Sequence, residues 1–402
     1  MRVLQMVKKF PYPLKDGEAL AVNFLSRSLT VHGCTIDLLA INTNKHYFDP
    51  AGIDDVLPHY RNKWIVDVNT DITASDAFIN LFSSESYHIS RFKSNKFKEA
   101  LNGILSENTY DVILMESIYM GPYIVAVRAK SNAVLILRAH NIEFMIWERV
   151  AHQTNNVLKK IYLKYLSKKL KRYEIGILNE FDGIVPISPV DSDFFRDMGC
   201  NRTSFTYPIS VFADDFEYES PNFKHLPTSI SFIGSLDWMP NQEGLIWFVN
   251  EVWPLVVKDI PSVSLWIAGR HIPDFIYELK NDQIHILGEV PDSAIFLKSY
   301  PITIVPLFSG SGMRAKIIEA MSLGPTIVST TIGAEGIDVQ HGVHLKLADS
   351  REMFAEAIKD LIFDQGKASL ISHNARELID SHYDAEVIGL RFKHWLSRMK
   401  KS

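Results

Sequence analysis

Short apolar runs alternating with amphipathic stretches, twice over, constrain this chain more than any other feature. VLQMV (3–7), TIDLLAI (35–41), KWIVDV (63–68), DVILMES (111–117), AVLILRAH (133–140) and GIVPIS (183–188) read as strands. The segments between them are mostly helical in period, the first from about Glu18 to His32. Near-continuous apolar strands separated by helices predict parallel strands covered on both faces. At 206–227, TYPISVFADDFEYESPNFKHLP, periodicity stops and proline and acids take over, which reads as a linker. The alternation then restarts with SISFIGS (229–235), SLWIAG (264–269), IHILG (284–288), ITIVPL (302–307), TIVST (326–330) and VHLKL (343–347). The expected fold class is therefore α/β, with two doubly wound sheets. The expected domains are 1–206, a linker at 207–227, 228–383, and a helical stretch at 384–402 placed to pack back on the first domain. Ligands of such sheets bind beyond the carboxyl ends of the strands, so two facing sheets would put the site in an interdomain cleft.

Composition narrows the function classes. The 402 residues carry a net charge of −5, so no global basic field argues for nucleic acid. Two cysteines, Cys34 and Cys200, can form neither a disulfide framework nor a zinc cluster, and they fit a reducing compartment. The N-terminal apolar run is too short for a signal peptide, and no run approaches the roughly 18 apolar residues of a spanning helix. The expectation is a cytoplasmic protein, in the cytosol or peripheral on the cytosolic face of a membrane.

The stretch PLFSGSGMRAKIIEAMSLGPTIVSTTIGAEG (306–336) concentrates five glycines, Arg314, Lys316 and Glu319 after an apolar strand. Helical spacing resumes near Met313, so FSGSG (308–312) is a strand-to-helix turn. A helix N-terminus offers unpaired N–H groups and the positive end of its dipole, which suits a phosphate. Arg314 and Lys316 add charge, and Glu319, two turns in, suits a sugar diol. The competing account is a packing turn with a solvated Arg and Lys. The turn is not a P-loop, because GxxxxGK[ST] is absent.

These motifs resemble the retaining glycosyltransferases of the GT-B fold, specifically the family 4 group, over nearly the whole chain. FIGSLDWMPNQEGLIWFVNEVWP (232–254), GEVPD (288–292) and the 306–336 stretch occur in the family's order, with FPYPLKDG (10–17) and RAHNIEFMIWERVA (138–151) in the first half. The resemblance implies two facing Rossmann-like domains and a nucleotide-sugar donor held by the second. It implies no cofactor, a hexosyltransferase-like activity, and a glycan or lipid-linked acceptor, as in polysaccharide biosynthesis. Glu319 matches the second glutamate of the family's E-x7-E motif, which holds the ribose, whereas the first falls on Ser311. Gly310, Ser311, Gly312 and Met313 fall where backbone meets diphosphate and sugar, and Gly288, Glu289 and Val290 in the base loop. The family's basic diphosphate clamps fall on Ser235 and Asn241, so Lys316 and Arg314 are the expected source of charge. Of the usual Gly-Gly pair after the first strand, Asp16-Gly17 keeps one glycine.

The implied chemistry retains anomeric configuration. No nucleophilic carboxylate is evident, which favours same-face attack with a donor phosphate oxygen helping to remove the acceptor proton. Lys316, Glu319 and His140 are the expected catalytic residues; His140 ends a strand, in RAHN, and matches the family's cleft histidine. Asn141 and Glu143 follow it, and Glu143 equally suits the first turn of a helix. DSD (191–193) fits a metal-binding pattern but follows Ser-Pro at a helix start, where aspartates cap, so no metal is expected. LKKIYLKYLSKKLKRYE (158–174) is strongly basic, with Leu158, Ile161, Tyr165 and Tyr173 near one face and Lys160, Lys164, Lys168 and Lys171 on another. It suits an anionic membrane or a solvated surface helix. Two rival functions remain: a nucleotide-sugar epimerase of the same fold, and a non-catalytic nucleotide-sugar binder.

Overall fold

The computed structural model describes residues 1–14, 17–71, 80, 83, 85–154, 156–221, 223, 228–310 and 313–400. The chain divides into two compact units, residues 1–208 with 388–402, and residues 209–387.

In the first unit seven parallel strands run in the order β3-β2-β1-β4-β5-β6-β7. They are β1 (Arg2–Val7), β2 (Thr35–Thr43), β3 (Asn62–Val68), β4 (Val112–Glu116), β5 (Val134–Ala139), β6 (Gly183–Pro186) and β7 (Thr203–Ser204). The apolar runs form strands because alternate residues bury on opposite faces. Leu4, Met6, Ile113, Met115, Leu135 and Leu137 enter one core, while Val3, Val7, Val112, Leu114 and Ile136 enter the other. The first core is closed by helices such as Asn95–Glu107, capped by Ser94 and burying Phe97, Leu101, Ile104 and Leu105. The second is closed by Gly17–Val31 and by Ile388, Phe392 and Leu396 of the last helix, Ala385–Met399. β7 has no apolar pattern: its two residues are exposed, and pairing with β6 alone defines it.

In the second unit six parallel strands follow the order β10-β9-β8-β11-β12-β13. These are β8 (Ser229–Ile233), β9 (Ser264–Ala268), β10 (Ile284–Gly288), β11 (Ile302–Val305), β12 (Thr326–Ser329) and β13 (Lys346–Leu347). The stretch read as a linker is not all linker: Phe212 and Ala213 are buried, and Phe223 joins the core of the second unit. Its aromatic residues win over its acids, because burying a phenylalanine stabilises by about 2 kcal/mol.

Both sheets reverse their winding once, between β1 and β4 and between β8 and β11. The carboxyl ends at those reversals are where doubly wound sheets place ligands.

Candidate functional site

At the reversal in the second unit, the turn after β8 and the turn after β11 meet. The helix after β11 is Ala315–Leu323, with Arg314 as its extended N-cap residue at φ −94°, ψ 102°. The helix therefore starts two residues later than Met313, and Met313 and Arg314 belong to the turn. Lys316 lies in the first helical turn. Its Nζ donates to Asn241 Oδ1 at 3.0 Å and to the Ile233 carbonyl at 3.4 Å, and lies 5.0 Å from the centre of the Phe232 ring. Asn241 in turn donates to the Ser235 carbonyl at 2.8 Å, and Ser235 Oγ to Asp237 at 2.6 Å. Lys316 thus brings an ammonium to the two positions where the sequence lacks basic clamps. Burial first, and the Arg314 guanidinium second, pull that ammonium down to about 7.

Arg314 is buried, with its guanidinium 5.5 Å from the Trp238 ring. Gly310 has φ +102°, and a Cβ there would stand 3.0 Å from both Trp238 and Arg314, so the turn has room for backbone only. Ser311 and Gly312, both expected to contact the donor, lie outside the described residues. Met313 is buried, and the GAEG turn lies against it, with a Cβ on Gly336 3.8 Å from Met313 Cα.

Glu319 sits in the second turn of the helix and accepts a hydrogen bond from Ser293. Ser293 opens the helix Ser293–Lys298 directly after GEVPD, with Asp292 capping it through Ala294 and Ile295 N–H. Two separate sequence motifs, GEVPD and the glutamate, therefore meet at one point. Burial raises the Glu319 pKa, with Asp292 adding to the rise and Ser293 opposing it. Gly288 ends β10 at φ +81°, Glu289 is exposed, and Val290 is half-buried.

In the first unit β1, β4 and β5 end in register, with Val7 beside Glu116 and Glu116 beside Arg138. His140 Nε2 lies 2.7 Å from Glu116 Oε2. Glu116 is fully buried; Gln5 donates to its other oxygen at 2.5 Å, and Tyr60 donates to Gln5 at 2.7 Å. Arg138, also buried, reaches Glu116 at 3.4 Å and donates to the Ala21 carbonyl at 2.9 Å. Burial pushes the Glu116 pKa up, but Arg138, His140 and Gln5 together hold it below the ordinary carboxylate range. An ionised Glu116 fixes the proton of His140 on Nε2 and leaves Nδ1 as the basic nitrogen. Ser117, directly after Glu116, has φ +116° and ψ 154°, a backbone region that costs a non-glycine residue about 1–3 kcal/mol. Strain of this kind gathers at functional sites.

Other expected residues have structural duties. Gly17 opens its helix exposed, and a Cβ there would meet nothing within 4 Å. Glu143 lies in a helical first turn and accepts from Tyr119 at 3.0 Å, while Glu174 caps that helix through the N–H groups of Glu143 and Phe144. Ser188 caps the helix Pro189–Asp197 with Asp191 bonded back to it, and Asp193 pairs with Arg196. Asp191 thus braces the Ser188 cap and Asp193 makes a surface ion pair. Among the described residues no group of three or more His, Cys, Asp and Glu is arranged to hold a metal ion.

Residues 227–364 match the family model described as glycosyl transferases group 1. The match falls within the second unit, residues 209–387. An uncharacterised 44.6 kDa protein in the cps region of Klebsiella pneumoniae is 28% identical over 304 residues, 73% of this chain and 76% of that protein. Sucrose-phosphate synthase from Thermosynechococcus elongatus superposes with a TM-score of 0.71 at 16% identity, covering 99% of each chain. Anabaena HepE, solved in complex with UDP and glucose, gives a TM-score of 0.64 at 14% identity over 99% of this chain and 100% of its own. The fold is GT-B, two parallel-sheet α/β domains.

Within the second unit, Ser235, Lys316, Arg314, Gly310 and Met313 cluster around one turn, and Glu319 joins the GEVPD loop through Ser293. Sequence reading missed Ser293, Trp238 and, in the other unit, Glu116. A signal existed for Glu116: it closes VILM, a run whose strand is buried throughout, and an acid there needs a partner. Ser293 follows GEVPD immediately and carries no signal of its own.

Proposed function

We propose that the chain transfers a hexosyl group from a nucleotide-sugar donor to a glycan or lipid-linked acceptor, with retention of anomeric configuration and without a metal ion. The observation that carries this reading is the convergence of Lys316, Asn241, Ser235 and Glu319 at the carboxyl edge of the second unit's sheet. In this reading Glu319, oriented by Ser293, holds the ribose hydroxyls. Gly310 and Met313, ahead of the helix, present backbone to the diphosphate, and Lys316 with Arg314 balances the charge that grows on the leaving phosphate. His140, with Nδ1 basic, bonds the transferred sugar or the acceptor hydroxyl. Glu116 is buried behind His140, which suits an orienting partner rather than a covalent nucleophile, and so supports same-face attack.

Two further observations bear on setting. The Klebsiella relative, described as lying in a cps region, supports a place in surface polysaccharide synthesis. In the helix Val157–Ile177, Leu158 is 80% and Ile161 61% exposed, beside exposed Lys159, Lys164 and Lys168. An apolar stripe flanked by lysines fits an anionic lipid surface on which a lipid-linked acceptor resides. No described helix is long and apolar enough to cross a membrane.

The deciding assay offers UDP-, ADP- and GDP-sugars with a lipid extract and excess chelator, and measures nucleoside diphosphate release. Release that requires the acceptor and survives the chelator supports the proposal. Release without any acceptor favours an epimerase, and binding without release favours a non-catalytic role.

A further inference from the structure

The first unit holds a second concavity that the donor chemistry does not use. It measures about 470 Å³ and is walled by the segments after β1, β2 and β3, on the carboxyl edge of the sheet. Lys8, Lys9, Lys45 and Arg91 line it, against two carboxylates, Glu18 and Asp71. One of these is shared: Lys8 and Lys9 stand 3.4 and 3.5 Å from the same Glu18 carboxylate. The other accepts from Asn44 at 2.8 Å. Arg91 is anchored by the Thr70 carbonyl at 3.0 Å and lies 5.8 and 5.7 Å from the Tyr87 and Phe92 rings, and its Nε is buried without a hydrogen-bond partner. Its charge is therefore held in place by a carbonyl and by rings, none of which neutralises it. Lys45 is exposed at the rim.

Four cations over two carboxylates, three of them held by Glu18 or the Thr70 carbonyl and Lys45 exposed at the rim, in a chain whose net charge is −5, make a local positive field that needs a ligand-side reason. The volume suits one or two sugar rings rather than a polymer groove, and Phe92 supplies an apolar wall. Lys8, which lies 4.7 Å from the Tyr119 ring, directly follows Val7, the β1 residue paired with Glu116. The pocket thus adjoins the strand end that carries the Glu116–His140 pair.

We propose that this pocket takes the anionic group of the acceptor, a carboxylate or phosphate carried on a saccharide. The proposal rests on the transferase reading for the word acceptor, but the binding it requires stands apart from transfer. The test titrates the full chain with methyl glucuronoside, glucose 6-phosphate and methyl glucoside at low salt, following ligand NMR line broadening, and titrates UDP, ADP and GDP in parallel. One or both charged sugars should bind at least tenfold more tightly than the neutral one, and which of them does identifies carboxylate or phosphate. Arg91→Gln, and independently the exposed Lys45→Gln, should each weaken that binding severalfold and leave nucleotide affinity unchanged. Equal binding of charged and neutral sugars, or charged-sugar binding indifferent to both variants, overturns the proposal. Charge-selective sugar binding with no nucleotide binding would keep the pocket and defeat the donor reading instead.

Discussion

With Lys316 at the diphosphate, as proposed, donor binding should depend on pH in a way a packing turn would not. Burial and Arg314 hold its free-state pKa near 7 rather than at the usual 10.5. At pH 7 about half of the molecules carry the charge, and at pH 9 about one in a hundred. A diphosphate placed against Nζ favours the charged form and raises the pKa again. Between the two pKa values the bound state then holds more protons than the free state, so affinity is greatest below the free-state pKa and falls as pH rises through it. The loss from pH 7 to pH 9 comes to roughly 50-fold, with uptake of about 0.9 proton per nucleotide at pH 8. Nucleotide phosphates, whose last ionisation lies near pH 6, are already fully charged there and add little. Calorimetry in two buffers of different ionisation heat reads the proton uptake directly, using whichever of UDP, ADP and GDP binds best. Lys316→Met should abolish the uptake and bind at pH 7 about as weakly as the native chain at pH 9. Flat affinity with no proton exchange, or a slope that survives in Lys316→Met, refutes the assignment of Lys316 to the diphosphate.

Three further outcomes follow from the same geometry. Gly310→Ala should lower the melting temperature through its positive φ, a cost of about 1 kcal/mol or more, yet weaken diphosphate binding far more than nucleoside binding; equal losses would make the turn a fold element only. His140→Ala should keep nucleotide affinity and cut transfer by roughly 10²–10⁴-fold, whereas Glu116→Gln leaves Arg138 buried without its counter-charge and should also cost about 3–5 kcal/mol of stability. An unaltered transfer rate in His140→Ala would reduce that residue to a strand end. Ile161→Glu should abolish sedimentation with anionic vesicles without changing the melting temperature, and persistent sedimentation would remove that helix from the membrane.

Much of this architecture was legible because buried parallel strands announce themselves as apolar runs. Every such run became a strand, although VHLKL shrank to Lys346–Leu347. β7 escaped because two exposed residues at a sheet edge leave no apolar trace. The helix start after β11 was misplaced because Met313 is apolar and buried like a helical residue, while its neighbour Arg314 takes extended backbone. Candidate site residues stand out where the proposed chemistry demands an unusual residue: Gly310 at positive φ, Lys316 and Glu319 in an otherwise apolar helix, histidine at a strand end. What could not be read was pairing across the fold. Nothing in sequence spacing joins His140 to Glu116, or Glu319 to Ser293; parallel register and the GEVPD turn do that. The pKa of Lys316 was equally invisible, because burial is a property of the folded surroundings and not of the lysine.

Glu319 offers the most direct test of a donor site in the second unit. Titration calorimetry of the best-binding nucleoside diphosphate into native chain and Glu319→Ala, with melting temperatures recorded beside it, isolates the ribose contact from the fold. Loss of a hydrogen bond to a charged group should cost about 1.5–3 kcal/mol, a roughly 10- to 150-fold weaker Kd, at a nearly unchanged melting temperature. Native affinity in a fully folded Glu319→Ala would contradict the account.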